Sequence, residues 1–540
     1  MKHTAKKLIA LLAALSLLAG CGAAGTGPAE ELPPVDLGLS GATEVKDRPA
    51  ADQVFSVNYD PEGNMNPVRA DNPTNMQFWS LMYDSVFIVD ESFEVYSEVV
   101  TSYNTEDYLW WVFQVDTSIP FTDGSTMTAG DVVYSILRAQ QSEYYKERLS
   151  NIYGISSLDD GSFAISTKEA NAQLPLMLNI PIIKKGDYFE DFPAGSGPYR
   201  LSEEGDRLVL FEENRHAKEM PLDTIYLIDC MDTNTRIRSY EDASLDIVTN
   251  DPTGMYNLGY ASSNDTRYLD TTNMQFIGFN MNSMYFSGYP ARRAVGYLLD
   301  RDAVVTELMN GCAIPASLPL HPKSNLYDKS YADTFTYDPG NAAILFENAG
   351  VDDYDHDGEL EMMVTGIVVE LKIRMIVNND STAKVMAARR LCEELNALGM
   401  TTTLWELSFN DYIEALENGE YDLYYGEIRL TPDWNLSRLF LPREPRKSMD
   451  DPFVGINYAD VRDPRFTELY AAYLEQPEGA GRAAAMQAVC KYIGDTAVIL
   501  PICFERREVL THRGVVTGIS ATQYDLYHRF YNWNINLNKS

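Results

Sequence analysis

The sequence predicts an α/β protein of two or more lobes, and three observations predict it. The chain has 540 residues, more than a single hydrophobic core ordinarily organises. Residues 371–407 alternate apolar positions as a strand, repeat them at helical spacing, then alternate again. Such a β-α-β unit sets two strands parallel and leaves a ligand crevice at their carboxyl ends. Residues 121–140, FTDGSTMTAGDVVYSILRAQ, end a strand, turn at Asp123-Gly124 and open a helix. Thr128 stands at the N-cap, and Asp131 three residues on completes a variant capping box with a carboxylate in the positive first turn. Val132, Val133, Ile136 and Leu137 then place an apolar face on that helix. A hydrophobic content of 45% suits packed cores rather than disorder.

Taken in order, the chain opens with Lys2, Lys6 and Lys7, then an apolar run from Leu8 to Leu18, too short to span a bilayer as a stable anchor. This reads as a signal peptide over 1–20. Its end, Leu18-Ala19-Gly20-Cys21, resembles the bacterial lipobox, which implies cleavage before Cys21 and lipid on its thiol. Residues 21–50 are rich in Gly, Ala, Pro and acids and read as a tether. Strands are predicted over 53–59, 110–115, 162–167 and 274–280, and a helix running into a strand over 76–89. A helix over 337–350 is entered at Asp338-Pro339. The strand at 371–377 turns Leu371, Ile373, Met375 and Val377 inward. Ser381 caps the next helix, Val385, Ala388, Leu391, Leu395 and Leu398 bury it, Gly399 ends it, and 401–407 is the parallel partner strand.

The stretch Phe121–Ala139 matches a pattern, F-[ST]-D-G-x-x-[LM]-T-A-x-D-V-x-x-S-[IL]-x-R-A, and so resembles the extracellular solute-binding proteins, family 5, that serve peptide-type ABC importers. Further segments carry the resemblance: PAGSGPYRL at 193–201, DTNTRIRSYEDASLDIV at 232–248, PARRAVGYLLDRDAVV at 290–305, the Pro-rich connector at 311–322, and DTAVILPICF at 495–504. It covers roughly Gln53 to Phe504. In 290–305, Ala291 and Arg292 replace the usual Arg and Val, whereas Arg293, Ala294, Asp300 and Arg301 hold. Asp300-Arg301 reads as a brace at a helix end. Asp246 and Asp422 occupy equivalent places in two similar helix-to-strand segments, a structural echo between lobes.

The resemblance implies a two-lobed periplasmic-binding-protein-like fold of type II, the large peptide-binding class, with an extra subdomain on the first lobe. The first lobe would comprise 51–82, 198–273 and 500–540, the extra subdomain 83–197 and the second lobe 274–499. It implies a substrate-binding lipoprotein of an ABC importer, exported and lipid-anchored outside the cytoplasmic membrane. Such a monomer would take a peptide or similar solute between its lobes, close, and deliver it to permease subunits. The loop 60–75 would lie at the cleft, making Asn58 and Tyr59 candidates there. Asn378 lies at a strand end. In the stretch 421–440, YDLYYGEIRLTPDWNLSRLF, the family's amine-binding Asp position holds Leu430 and its Trp position holds Glu427. Glu427 or Asp433 would then take a cationic group, Arg429 a carboxylate, and Tyr424, Tyr425 or Trp434 an apolar or sugar-like part. Alternate strand residues face opposite sides, so not all of these reach one ligand. Non-peptide solutes (sugars, nickel chelates, haem, opines) and a sensor role are the alternatives.

Charge and motifs narrow the function classes. Acidic residues number 79 against 43 basic, which repels nucleic acid and favours cationic or zwitterionic ligands. The six His form no H-E-x-x-H, and neither a Walker loop nor G-x-S-x-G occurs. Ser196 in GSG is no nucleophile elbow, so no enzyme and no cofactor is expected. Asp353, Asp355, Asp357 and Gly358 open like a calcium loop, but Val364 stands where a bidentate Glu is needed, and a hairpin turn is the expectation. Cys230, Cys312, Cys392, Cys490 and Cys503 lack metal spacing and read as buried apolar residues.

Overall fold

The computed structural model describes residues 53–253, 260, 264–440, 457–459, 461 and 463–537. The signal peptide, the tether and Cys21 lie outside the described residues. The first strand, Ser56–Tyr59, runs parallel to Thr224–Asp229, and the sheet continues antiparallel through Arg207–Leu210 to Tyr199–Leu201. A second, antiparallel sheet is ordered Val100–Thr105, Trp110–Val115, Ser162–Thr167, Ile152–Ser157. The helix Ala129–Ala139 follows the predicted turn. Thr128 N–H donates to Asp131 Oδ2 at 2.8 Å, while Asp131 Oδ1 accepts from Lys185 N–H at 2.8 Å. The capping carboxylate therefore also ties down a distant loop. Leu137 does not belong to the buried face: it is exposed, and Val132, Ser135, Ile136 and Ala139 are buried. The buried stripe follows steps of three and four, which pass Leu137 by.

The largest sheet is ordered Ile247–Asn250, Ile499–His512, Asn264–Phe279, Leu423–Arg429, Lys372–Asn378, Thr401–Leu407. Lys372–Asn378 is parallel to both of its neighbours, so the β-α-β unit forms as its alternation and caps dictate. Its helix, Thr382–Ala397, starts at Ser381 and stops before Gly399, whose φ of +98° suits glycine. Helices cover both faces here. Met375 and Tyr425 share a core with Val385, Leu391 and Leu395, whereas Ile376 and Tyr424 share one with Tyr412, Ile413 and Val489. A strand buried on both sides reads as a near-continuous apolar run, which is why Met375, Ile376 and Val377 are adjacent.

Asn264–Phe279 and Ile499–His512 are long antiparallel partners. The predicted strand began at Met274, but pairing starts at Asn264, because the polar run NDTRYLD is held by its partner's backbone rather than by apolar alternation. The register shifts between Asp270 and Met274. There Arg506 Nε donates to Asp270 Oδ1 at 2.7 Å and the Lys323 ammonium pairs with the same carboxylate. Thr272 Oγ donates to Leu430 O at 2.6 Å.

The two echoed aspartates do the same work. Asp246 accepts from Ser56 N–H at 2.8 Å and Asp422 from Arg374 N–H at 2.9 Å, each tying the start of its strand to the backbone of another strand. Asp300 caps a helical turn through Ala303 N–H, and buried Arg301 donates to Pro501 O at 2.8 Å. The acidic turn joins the paired strands Val351–Asp352 and Glu361–Val364 as a hairpin. Asp353 is occupied there by Asp357 and Gly358 N–H groups. The five described cysteines are free and buried.

Candidate functional site

A cavity of about 370 Å³ opens along Leu423–Arg429 and the carboxyl end of Lys372–Asn378, within the range of small-ligand sites. Asn378, Tyr424, Tyr425, Glu427 and Arg429 of the predicted set line it together. Asp380, Lys384, Phe409 and Tyr412 also line it. None of these four carries a sequence signal. Lys384 sits beside the apolar stripe of its helix, and Tyr412 reads as ordinary packing.

Reciprocal cross-strand pairs build the floor. Phe276 faces Gly426, and Gly278 faces Tyr424. A Cβ on Gly278 would lie 2.1 Å from the Tyr424 ring, and one on Gly426 would lie 2.5 Å from the Phe276 ring. Each ring thus lies over the other strand's glycine, and the two rings meet edge-on at 5.8 Å. Tyr425 points to the opposite face, where its hydroxyl donates to Gln275 Oε1. Tyr412 OH donates to the Tyr425 carbonyl at 2.7 Å.

Charge is concentrated on one wall. Lys384 Nζ lies 2.8 Å from Glu427 Oε2 and 2.9 Å from Asp380 Oδ1. Burial disfavours its charge, but the Glu427 and Asp380 carboxylates outweigh burial and hold the ammonium well above the usual lysine range. Beyond it, Glu505 accepts from Asn273 Nδ2 at 3.2 Å and from Gln275 Nε2. Burial, then the neighbouring Glu427 carboxylate, push Glu505 up to about 7. The native carboxyl thus keeps a proton that the unfolded chain releases near the ordinary glutamate value of 4.5. Its contribution to stability is full below that value and is lost as pH rises through about 7. Glu505→Gln is expected to remove that slope, which denaturant midpoints at about pH 5 and about pH 8 check.

Arg429 stands two residues beyond Glu427 on the same strand. Its guanidinium lies 5.6 Å from the Tyr144 ring centre and donates to the Tyr144 hydroxyl at 3.4 Å. It forms no ion pair among the described residues.

Four predicted residues stand elsewhere. Asn58 Oδ1 accepts from Cys230 N–H at 3.1 Å, and Tyr59 is buried against Phe78. Both serve the first sheet, because the strand turns them into its packing. Asp433 is buried and accepts from Thr431 OH at 2.6 Å, and burial pushes its carboxyl up. Trp434, at a φ of +58°, turns the chain inward and packs edge-on against Phe93 at 5.0 Å. The strand ends before these two, so neither faces the cavity. Cys21 lies outside the described residues.

A strand-end cavity with aromatic walls, one ion triad and one cation without an ion pair among the described residues is the architecture of a protein that captures a small solute. The pattern of bacterial extracellular solute-binding proteins, family 5 Middle, matches residues 94–442, and the chain belongs to that family. It is 22% identical over 382 residues to the oligopeptide-binding protein AppA of Bacillus subtilis, covering 66% of this chain and 69% of that one. The structure of AppA with a nonapeptide matches 89% of this chain and 98% of its own, at 18% identity and a TM-score of 0.57. NikZ of Campylobacter jejuni, with Ni(L-His), matches 89% and 99% at 16% identity and a TM-score of 0.63. The fold is therefore the two-lobed α/β fold of these binding proteins. Among the described residues, no helix is long and apolar enough to cross a membrane.

Proposed function

We propose that the chain captures a peptide, or a similar zwitterionic solute, in the strand-end cavity and delivers it to the permease of an ABC importer. One observation carries the reading: the cavity presents Arg429, which forms no ion pair among the described residues, on a wall that also carries the Glu427 carboxylate. Such a wall is complementary to a molecule bearing both a carboxylate and an amine. The similarity to AppA supports the peptide class. The protein acts by binding alone, as a monomer, with Cys21 carrying the lipid that holds it outside the membrane. Residues 51–82, 198–273 and 500–540 form one lobe, 83–197 its extra subdomain and 274–499 the other lobe. Asn378, Tyr424 and Tyr425 shape the pocket.

Thermal shift of the full chain carrying Cys21→Ser tests this against pooled di- to octapeptides, with sugars and metal chelates as separate pools. A peptide at a hundred times its dissociation constant is expected to stabilise by about 2.7 kcal/mol. Acetylating the peptide amine and Glu427→Gln should each weaken binding, as should Arg429→Gln together with loss of the peptide carboxylate. A shift with sugars or chelates and none with peptides overturns the peptide reading.

A further inference from the structure

A second cavity, also about 370 Å³, lies between the sheet that holds Trp110–Val115 and the start of the helix Ala480–Thr496. It shares no lining residue with the strand-end cavity. One wall is aromatic: Tyr103 and Tyr108 line it, and Trp111 stands behind them at 5.8 and 6.1 Å between ring centres. The opposite wall is polar. Gln173 is 2% exposed, and its Oε1 accepts from Tyr473 OH at 2.8 Å. Among the described residues its Nε2 has no partner. A buried amide N–H left unmet costs free energy and marks a position where a ligand atom would be welcome.

Arg482 lines the same space from the first turn of the helix. Among the described residues its Nε is buried without a partner and its guanidinium forms no ion pair. The helix begins at this wall with Gly479 as a cap that offers no side-chain bond, so the positive end of the helix reinforces Arg482. Two acids also line the cavity. Glu94 accepts from Asn325 Nδ2 at 2.5 Å, and Glu478 does not pair with Arg482.

We propose that this cavity is a second small-molecule site, one that takes an aromatic carboxylate. The carboxylate meets Arg482 and Gln173 Nε2, and the ring lies against Tyr103 and Tyr108. A guanidinium and an amide N–H donate to one carboxylate, and the aromatic tier supplies the apolar contact. The assignment stands independently of what the strand-end cavity binds.

The test is calorimetric titration of the full chain carrying Cys21→Ser with phenylacetate, and with phenethylamine as the cationic counterpart. Phenylacetate is expected to bind and phenethylamine not to bind. Arg482→Gln and Gln173→Leu should each weaken phenylacetate by about tenfold or more. Unfolding midpoints of both variants without probe report separately on folding. No phenylacetate binding up to roughly 10 mM overturns the proposal. So does binding that survives Arg482→Gln but is lost in Arg429→Gln, which would place the probe in the strand-end cavity. Equal binding of phenethylamine overturns it as well.

Discussion

Lys384→Met is expected to destabilise the protein by about 3–5 kcal/mol at neutral pH. Lys384 is the only cation within ion-pair distance of Glu427 and Asp380 among the described residues. Its side chain is only 12% exposed, so water replaces it poorly. Removing it leaves two carboxylates facing each other and a third, Glu505, close behind. Protonation of Glu505, whose carboxyl titrates at about 7, relieves part of that repulsion, so the loss should shrink as pH falls from about 8 to about 5. Denaturant midpoints of variant and parent at both pH values measure this. A loss that stays constant across that range would show that Lys384 acts through packing rather than charge.

Gly278→Val is the second large effect, expected to cost about 3 kcal/mol or more. The new Cβ would start 2.1 Å from the Tyr424 ring. That ring cannot retreat, because Tyr421 meets it edge-on at 5.4 Å and Phe276 at 5.8 Å. Either the strand pair separates or Tyr424 swings into the cavity. The two outcomes differ in readout: separation lowers stability alone, whereas a swung ring also weakens ligand binding. Gly278→Val combined with Tyr424→Ala should recover part of the lost stability, since the added methyl groups then occupy the space the ring leaves. If the double variant is no more stable than the sum of the singles, the pair does not act as a unit.

The parts of the fold that could be read ahead were those whose local chemistry agrees with their tertiary place. The β-α-β unit announces itself through alternation, Ser381 and Gly399. The capping box at Thr128 and Asp131 does the same. The cavity was half legible. Position on one strand grouped Tyr424, Tyr425, Glu427 and Arg429, and the parallel neighbour brought Asn378. Asp433 and Trp434 went astray because the chain leaves the strand at Leu430 and Trp434 turns it inward with a positive φ. Lys384 and Glu505 were invisible for a different reason. Each becomes part of the site only through Glu427, more than forty residues from Lys384 and more than seventy from Glu505.

The two long antiparallel strands of the largest sheet have a consequence for the order in which the protein can be made. Asn264–Phe279 pairs along most of its length with Ile499–His512, so one edge of it waits through the synthesis of more than two hundred residues. Until that last strand arrives, one edge of this sixteen-residue strand stands open, its outward N–H and C=O groups unpaired. Ile247–Asn250 waits as well, since its sheet partner is the same late strand. The chain therefore completes its largest sheet only near the end of translation. Nascent chains stalled short of Ile499 should be captured by strand-binding chaperones or aggregate, while those released past His512 should not.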